Sequence, residues 1–262
     1  MGRMDGRAGI ITGGCGGAGL ETCRLFAKEG ASVVIADINE EVGRSLQDEI
    51  CAAGGKALFV RTDVTSEDAV AACVDQCVEA FGKIDYLINI ACIMTIDNGP
   101  IHEVTEEMFD KEIAFNLKGA FFFVKHAVPE MVKNGKGAVV NFSSIAASTG
   151  DLGHTFYGAA KAGVETMTRN IAAQYGKQGV RANCIRPGIM LNDTTLAHPG
   201  VKEFGDFVLT HLPGTRIGYG ADAAPLALFF ASDESEYITG QVLTLDGGLT
   251  CHQPQWKEDR QR

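Results

Sequence analysis

Thr12-Gly13-Gly14-Cys15-Gly16-Gly17-Ala18-Gly19 is the stretch on which the reading of this chain turns. It follows a short apolar run, Ala8–Thr12, and leads directly into an amphipathic pattern over Gly17–Glu29. Glycine suits this place, because the chain must turn sharply and let a ligand approach its backbone. A helix starting here offers free N–H groups and the positive end of its dipole to a pyrophosphate. A glycine cluster alone marks only a tight turn. Between a strand and a helix, in the first crossover of the chain, it reads as a dinucleotide-binding loop. Gly13, Cys15, Gly16, Gly17, Ala18 and Gly19 are its expected contacts.

The rest of the chain repeats that rhythm. Further strands are expected at Ser32–Ala36, Ala57–Arg61, Tyr86–Ile90, Ala138–Phe142, Arg181–Arg186 and Val242–Leu245. Several are apolar on both faces, as central parallel strands must be. Between them lie helical patterns over Glu40–Ala53, Glu67–Phe81, Glu106–Lys133 and Phe156–Tyr175. Thr65-Ser66-Glu67-Asp68 and Thr105-Glu106-Glu107 carry a hydroxyl cap and acids in the first turn, which marks helix starts. Such alternation predicts an α/β fold. It is a single doubly wound Rossmann-type domain over 1–262, with a mostly parallel seven-stranded sheet and helices on both faces. Asn192–Arg216 breaks the rhythm, so a lid is expected at about 191–216, and 251–262 reads as a polar tail holding Trp256.

Composition excludes several function classes. The formal net charge is -10, with no basic tract, which argues against nucleic acid and anionic membranes as partners. No apolar run is long enough to span a bilayer, and the polar start Met1–Gly9 lacks a signal-peptide core, so a cytoplasmic location is expected. The 8 cysteines show no CxxC pair and no zinc spacing. Cys73 and Cys77 lie one helical turn apart and read as buried apolar residues, not as metal ligands.

The second strand ends in Ala36-Asp37, about 20 residues after the glycine loop, where a dinucleotide fold places its ribose-binding acid. A carboxylate there accepts hydrogen bonds from adenosine ribose hydroxyls and repels the 2′-phosphate of NADP. No Arg or Lys lies between Gly13 and Gly19 to hold that phosphate. Both features favour NAD, with Ile38 beside the acid. Asp63-Val64 ends the third strand, where a carboxylate can meet an adenine amino group.

Tyr157 and Lys161 share one helix face. Asn141-Phe142-Ser143-Ser144 ends a strand shortly before them, and Asn116 puts an amide inside an apolar helix. Together these residues resemble the short-chain dehydrogenase/reductase family over nearly the whole chain. Thr12, Gly13, Gly17 and Gly19 match its TGxxxGxG pattern. Ser144, Tyr157 and Lys161 match its serine and YxxxK positions, and Asn116 its helix asparagine. Pro187-Gly188 matches the turn after the sixth strand, and Asp246-Gly247-Gly248 a common ending.

The resemblance implies a catalytic set of Asn116, Ser144, Tyr157 and Lys161. A free tyrosine has a pKa near ~10, which the Lys161 ammonium and a positive nicotinamide ring are expected to lower. Tyr157 would take the alcohol proton. Ser144 would hold the substrate oxygen, Lys161 the nicotinamide ribose, and Asn116 a relay water. The resemblance also implies a homotetramer built partly through the helices holding Asn116 and Tyr157.

Two departures stand out. The fourth strand ends in Asn89-Ile90-Ala91-Cys92, where the family has Asn-Asn-Ala-Gly. Main-chain contacts of Asn89, Ile90 and Ala91 with the cofactor are still expected, and Cys92 reads as buried filler. Asn192 stands where the family often has threonine, and Met190 where its backbone meets the carboxamide.

The family's pocket segments correspond here to Ile93–Asp97, Ile145–His154, Met190–Leu196 and a lid with Phe204, Phe207, Val208 and Leu212. They are mostly apolar, so a neutral, apolar small molecule such as a hydroxysteroid or cyclic alcohol is expected. His154 reads as a capping or surface residue. The competing readings are a reductase of carrier-bound 3-oxoacyl chains and a non-catalytic NAD-sensing module.

Overall fold

The structure is a computed structural model, and it describes residues 2–94, 99–150, 152–192, 196 and 200–252. Seven parallel strands form one sheet in the order β3-β2-β1-β4-β5-β6-β9. They are β1 (Ala8–Thr12), β2 (Ser32–Asp37), β3 (Lys56–Arg61), β4 (Tyr86–Asn89), β5 (Gly137–Phe142), β6 (Val180–Pro187) and β9 (Val242–Leu245). A separate two-stranded parallel pair joins β7 (Met190–Leu191) to β8 (Gly218–Tyr219). The expected architecture holds, and the main sheet is parallel throughout.

Alternating side chains divide the core between the two faces. On β1, Ile10 packs with α3 (Glu67–Phe81), α5 (Gly119–Lys133) and α6 (Thr155–Tyr175). Ile11 packs with α1 (Gly17–Lys28), α2 (Glu40–Ala52) and a C-terminal helix, α8 (Gly220–Ala231). Both isoleucines are fully buried, as a period of two demands of a strand covered on both faces. Cys73 and Cys77 lie in the first cluster as free thiols, so the apolar reading of that pair holds. Asn39, Ser66 and Thr105 cap α2, α3 and α4 (Glu106–Ile113) through side-chain oxygens.

One expectation is corrected. Glu106–Lys133 is not a continuous α-helix: between α4 and α5, Ala114–Lys118 forms a π turn with Asn116 inside it. Such turns insert an extra residue into the helix and often sit at functional sites.

The lid is described in part. α7 (Val201–His211) buries Val208 and exposes Phe204 and Phe207. Residues 193–195 and 197–199 of the expected lid, 95–97 and 151 of the expected pocket, and 253–262 of the tail, with Trp256, lie outside the described residues. Among the described residues, no helix is long and apolar enough to cross a membrane.

Candidate active site

The strand order reverses between β1 and β4, and an open α/β sheet forms its crevice at that point, beyond the carboxyl ends of its strands. Thr12 stitches the two strand ends together, its hydroxyl oxygen accepting the N–H groups of Ile90 and Ala91, each at 3.1 Å. Gly13 has a positive φ of 66°, and a Cβ on it would lie 2.9 Å from the Ala91 main chain. A Cβ on Gly19 would lie 1.9 Å from the Gly13 carbonyl oxygen. The glycines are therefore required by close backbone approach at both ends of the loop.

The loop fits a pyrophosphate. Gly16 gives α1 no side-chain cap, and no acidic residue occupies its first turn. α2, α3 and α4 all have both. The N–H groups that start α1, near Ala18, are thus left for an anion. A Cβ on Gly17 would meet the Asn192 amide nitrogen at 2.8 Å, so Asn192 stands against the start of α1.

Asp37, at the end of β2, turns its carboxylate onto the same loop. Its Oδ2 accepts the Cys15 N–H at 3.0 Å and its Oδ1 the Asn39 N–H at 2.9 Å. Ile38 beside it is 59% exposed, an apolar side chain next to that carboxylate. Asp63 accepts both the N–H and the hydroxyl of Thr65, and Val64 is buried against Gly119.

Asn89 is expected to offer its main chain. Its side chain is committed inside the sheet, donating to Asn141 at 2.8 Å, and Asn141 donates to Thr168 at 2.9 Å. The Asn89 side-chain oxygen, by contrast, is buried without a hydrogen-bond partner among the described residues. The Pro187-Gly188 turn packs on Asp246, because a Cβ on Gly188 would lie 2.6 Å from that residue's Cβ. Met190 lines a cavity of about 340 Å³ with Val208, Leu212 and Ile217. This cavity lies behind the lid, and its lining includes none of Ser144, Tyr157 and Lys161.

Those three residues do converge. Ser144 follows β5 and caps a short 3-10 turn, Ile145–Ala147. α6 approaches that turn closely, since a Cβ on Gly158 would lie 2.6 Å from the Ala146 carbonyl. This contact brings Tyr157 close to Ser144, whose hydroxyl favours the ionised phenol. One helical turn on, the Lys161 Nζ stands 5.6 Å from the Tyr157 ring centre and donates to the Phe142 carbonyl at 3.0 Å. Tyr157, Lys161 and Asn116 are all buried.

Burial dominates the electrostatics of the phenol. Burial pushes the Tyr157 phenol well above its ordinary value, the nearby Cys92 and Glu112 add to the rise, and only the Ser144 hydrogen bond opposes it. Cys92 is exposed rather than buried, and it acts on the phenol across the cleft. His154 sits at the N-cap position of α6 without a side-chain cap hydrogen bond. Among the described residues no cluster suits a metal ion.

Sequence reasoning missed Glu112, which is fully buried and bonded to Asn116. It also missed the ion pair between Glu165 and Arg186 beside Ser143. A glutamate on a short polar helix carries no signal of burial by itself.

Comparison with known proteins agrees with this geometry. Residues 14–250 match the model of a family described as enoyl-(acyl carrier protein) reductase. The chain is 40% identical over 246 residues to the 2,5-dichloro-2,5-cyclohexadiene-1,4-diol dehydrogenase LinX of Sphingobium indicum, covering 94% of this chain and 97% of that protein. It is 38% identical over 248 residues to a cis-4-hydroxycyclohexanecarboxylate dehydrogenase of Sinomonas cyclohexanicum, with coverage of 94% and 97%. Among solved structures it resembles a 7α-hydroxysteroid dehydrogenase complexed with NADH and 7-oxo glycochenodeoxycholic acid. The TM-score is 0.88 and the identity 35%, over 94% of this chain and 95% of that chain.

Fold and relatives together define an oxidoreductase of the nicotinamide-binding Rossmann class. Within that class, the chain belongs to the short-chain dehydrogenase/reductase family.

Proposed function

We propose that this protein transfers a hydride between NAD(H) and a secondary alcohol or ketone carried on a ring. The observation that supports it most is the meeting of Ser144, Tyr157 and Lys161 beyond the sheet's carboxyl edge. Gly13–Gly19, Asp37, Ile38, Asp63 and Val64 would bind the adenosine and pyrophosphate. The main chain of 89–91, Pro187-Gly188, Met190, Asn192 and Lys161 would hold the nicotinamide half, which supplies the hydride donor or acceptor.

Ser144 positions the substrate oxygen by a hydrogen bond. Tyr157 exchanges the proton with that oxygen. Because burial keeps the phenol protonated near neutral pH, Tyr157 serves there as the acid of carbonyl reduction and becomes the base of oxidation at alkaline pH. Lys161 holds its ammonium at the floor of the cleft, one turn from the phenol. The Asn116 side chain bonds both Ile93 and Glu112, so we assign it to support of the cleft wall together with any relay water.

The named relatives act on cyclic molecules, a cyclohexadiene diol and a hydroxycyclohexane acid, and the neighbour binds a steroid. A neutral cyclic substrate is our reading for this chain. We place it in the cytoplasm, in keeping with its free cysteines. We also propose a homotetramer, with Phe109 and Phe121 exposed on the helices that would pair.

The test is NADH absorbance on a panel of cyclic alcohols and hydroxysteroids, with NAD and NADP in parallel. Tyr157→Phe should lower turnover by about 10²- to 10⁴-fold and leave NAD binding intact. Preference for a 3-oxoacyl thioester with NADPH, or no turnover of any pair, would overturn the proposal.

A further inference from the structure

α4 buries one residue fully, and that residue is a carboxylate. Glu112 is 0% exposed, whereas Phe109 on the same helix is 40% exposed. Partition between water and core alone would put the ring inside and the acid outside. A carboxylate persists in such a place only when hydrogen bonds hold it. Glu112 Oε2 accepts a side-chain N–H of Asn116 at 2.6 Å. The other end of that amide, Oδ1, accepts the main-chain N–H of Ile93 at 3.0 Å. A backbone N–H only donates and a carboxylate only accepts, so the two contacts leave the Asn116 amide a single orientation.

The residue that receives this amide lies in a telling place. Ile93 belongs to the segment that runs from the end of β4 past Cys92 along the cleft. The same segment is stitched at its other end to Thr12, through Ile90 and Ala91. It has a fixed start beside the glycine loop and a second anchor at Asn116, in the π turn.

We propose that Glu112 is a positioning residue: it clamps the Asn116 amide and, through it, holds the 90–93 segment as the wall of the cleft that contains Tyr157. Its effect on turnover rests on the oxidoreductase reading above; its effect on the wall does not. The clamp requires an acceptor oxygen at this point, not a charge. Glutamine keeps that oxygen. Methionine fills the same volume without it, and replacing a buried acid by an apolar side chain of similar size leaves folding intact.

The experiment compares the full-length chain with Glu112→Gln and Glu112→Met. It measures thermal midpoint, amide hydrogen exchange at Ile93, and kcat and KM for NAD. In Glu112→Met, Ile93 should exchange about tenfold faster and kcat should fall about tenfold, as one lost buried hydrogen bond implies. KM for NAD should hardly move, and the thermal midpoint should fall by only about a few degrees, as an unpaired buried N–H implies in a folded chain of this size. Glu112→Gln should restore exchange, and with it kcat for ketone reduction at neutral pH, where the phenol is protonated in all three proteins. A residue serving only to fill space would not do so.

Unchanged exchange at Ile93 in a folded Glu112→Met protein would overturn the clamp. So would faster exchange with full kcat in an active enzyme, because the wall would then not govern catalysis. If the unaltered chain turned over no alcohol or ketone, yet Glu112→Met still loosened Ile93 and Glu112→Gln restored it, the oxidoreductase reading would fail and the clamp would stand.

Discussion

The carboxylate of Asp37 accepts the main-chain N–H of Cys15 across 3.0 Å, joining the end of β2 to the glycine loop. Together with the Asn39 contact this takes one acceptor site on each carboxylate oxygen, and a carboxylate has acceptor sites to spare. The remaining sites suit the two ribose hydroxyls, and the charge opposes a phosphate. Asp37→Ser should raise KM for NAD about 10- to 100-fold, since hydrogen bonds to a charged group contribute about 1.5–3 kcal/mol. KM for NADP should rise less, so the ratio of kcat/KM for the two cofactors should move towards NADP. An unchanged ratio would mean that Asp37 serves only the loop.

The glycine loop gives a sharper test of geometry. Gly19→Ala would bring a methyl group to 1.9 Å from the Gly13 carbonyl oxygen, a contact no side-chain rotation can relieve. The start of α1 must move away from the loop. NAD affinity measured by calorimetry should fall at least about tenfold, by analogy with the cost of a 1 Å misplacement. Gly54→Ala is the control. It has a positive φ but nothing within 4 Å, so it should affect stability alone and leave NAD affinity in place.

The phenol of Tyr157 predicts a pH dependence with a definite sign. Burial, then Cys92, push its pKa up, and the Ser144 hydrogen bond works against them. Alcohol oxidation needs the ionised phenol, so its kcat/KM should climb with pH far into the alkaline range. Cys92→Ala removes a group that disfavours the phenolate and should move the midpoint of that climb to lower pH. Ser144→Ala removes the opposing hydrogen bond and should move it higher, along with a loss in kcat. Midpoints from full pH profiles of the three proteins check this. A Cys92→Ala midpoint at or above that of the unaltered chain would contradict it.

The sequence made the scaffold legible for a simple reason. Strands such as β1 and β4 are apolar on both faces, and helices such as α2 and α3 announce themselves by caps and first-turn acids, all local signals. The glycine loop was legible because one short stretch combines a turn, a helix start and a close contact. What escaped were relations between distant elements. The π turn at Ala114–Lys118 looks like an ordinary helix in sequence, because the insertion is set by what Asn116 must reach. Cys92 sat where apolar filler was the simple reading, yet the segment after β4 leaves it exposed. The approach of Gly158 to Ala146 is set by packing of α6 on the turn that precedes it, and no periodicity encodes it.

Glu165 and Arg186 form the other relation of this kind, and it yields a stability prediction. Two bonds of 2.7 Å join the guanidinium to the carboxylate, and Ser143 donates to the same carboxylate at 2.8 Å. The network ties the end of β5, α6 and the end of β6, close behind Ser144 and Lys161. Burial works to raise the Glu165 pKa, but Arg186 and Ser143 outweigh it and hold the carboxyl below its usual range. Glu165→Ala leaves the guanidinium without its partner and should cost about 3 kcal/mol, the lower end for a broken buried pair, because the Arg186 side chain keeps 22% of its surface exposed. Replacing both residues by leucine should cost less than Glu165→Ala alone.

The pH dependence follows from the lowered pKa. A carboxyl that is more acidic in the folded chain contributes its stability above its unfolded pKa, about 4.3. That contribution disappears as pH falls through the folded value. The stability gap between the unaltered chain and Glu165→Gln, measured by urea unfolding, should therefore be constant near neutral pH and shrink as the solution is made acidic below about pH 4. A gap that stays the same into strong acid would show that Glu165 stabilises the fold by packing rather than by its charge.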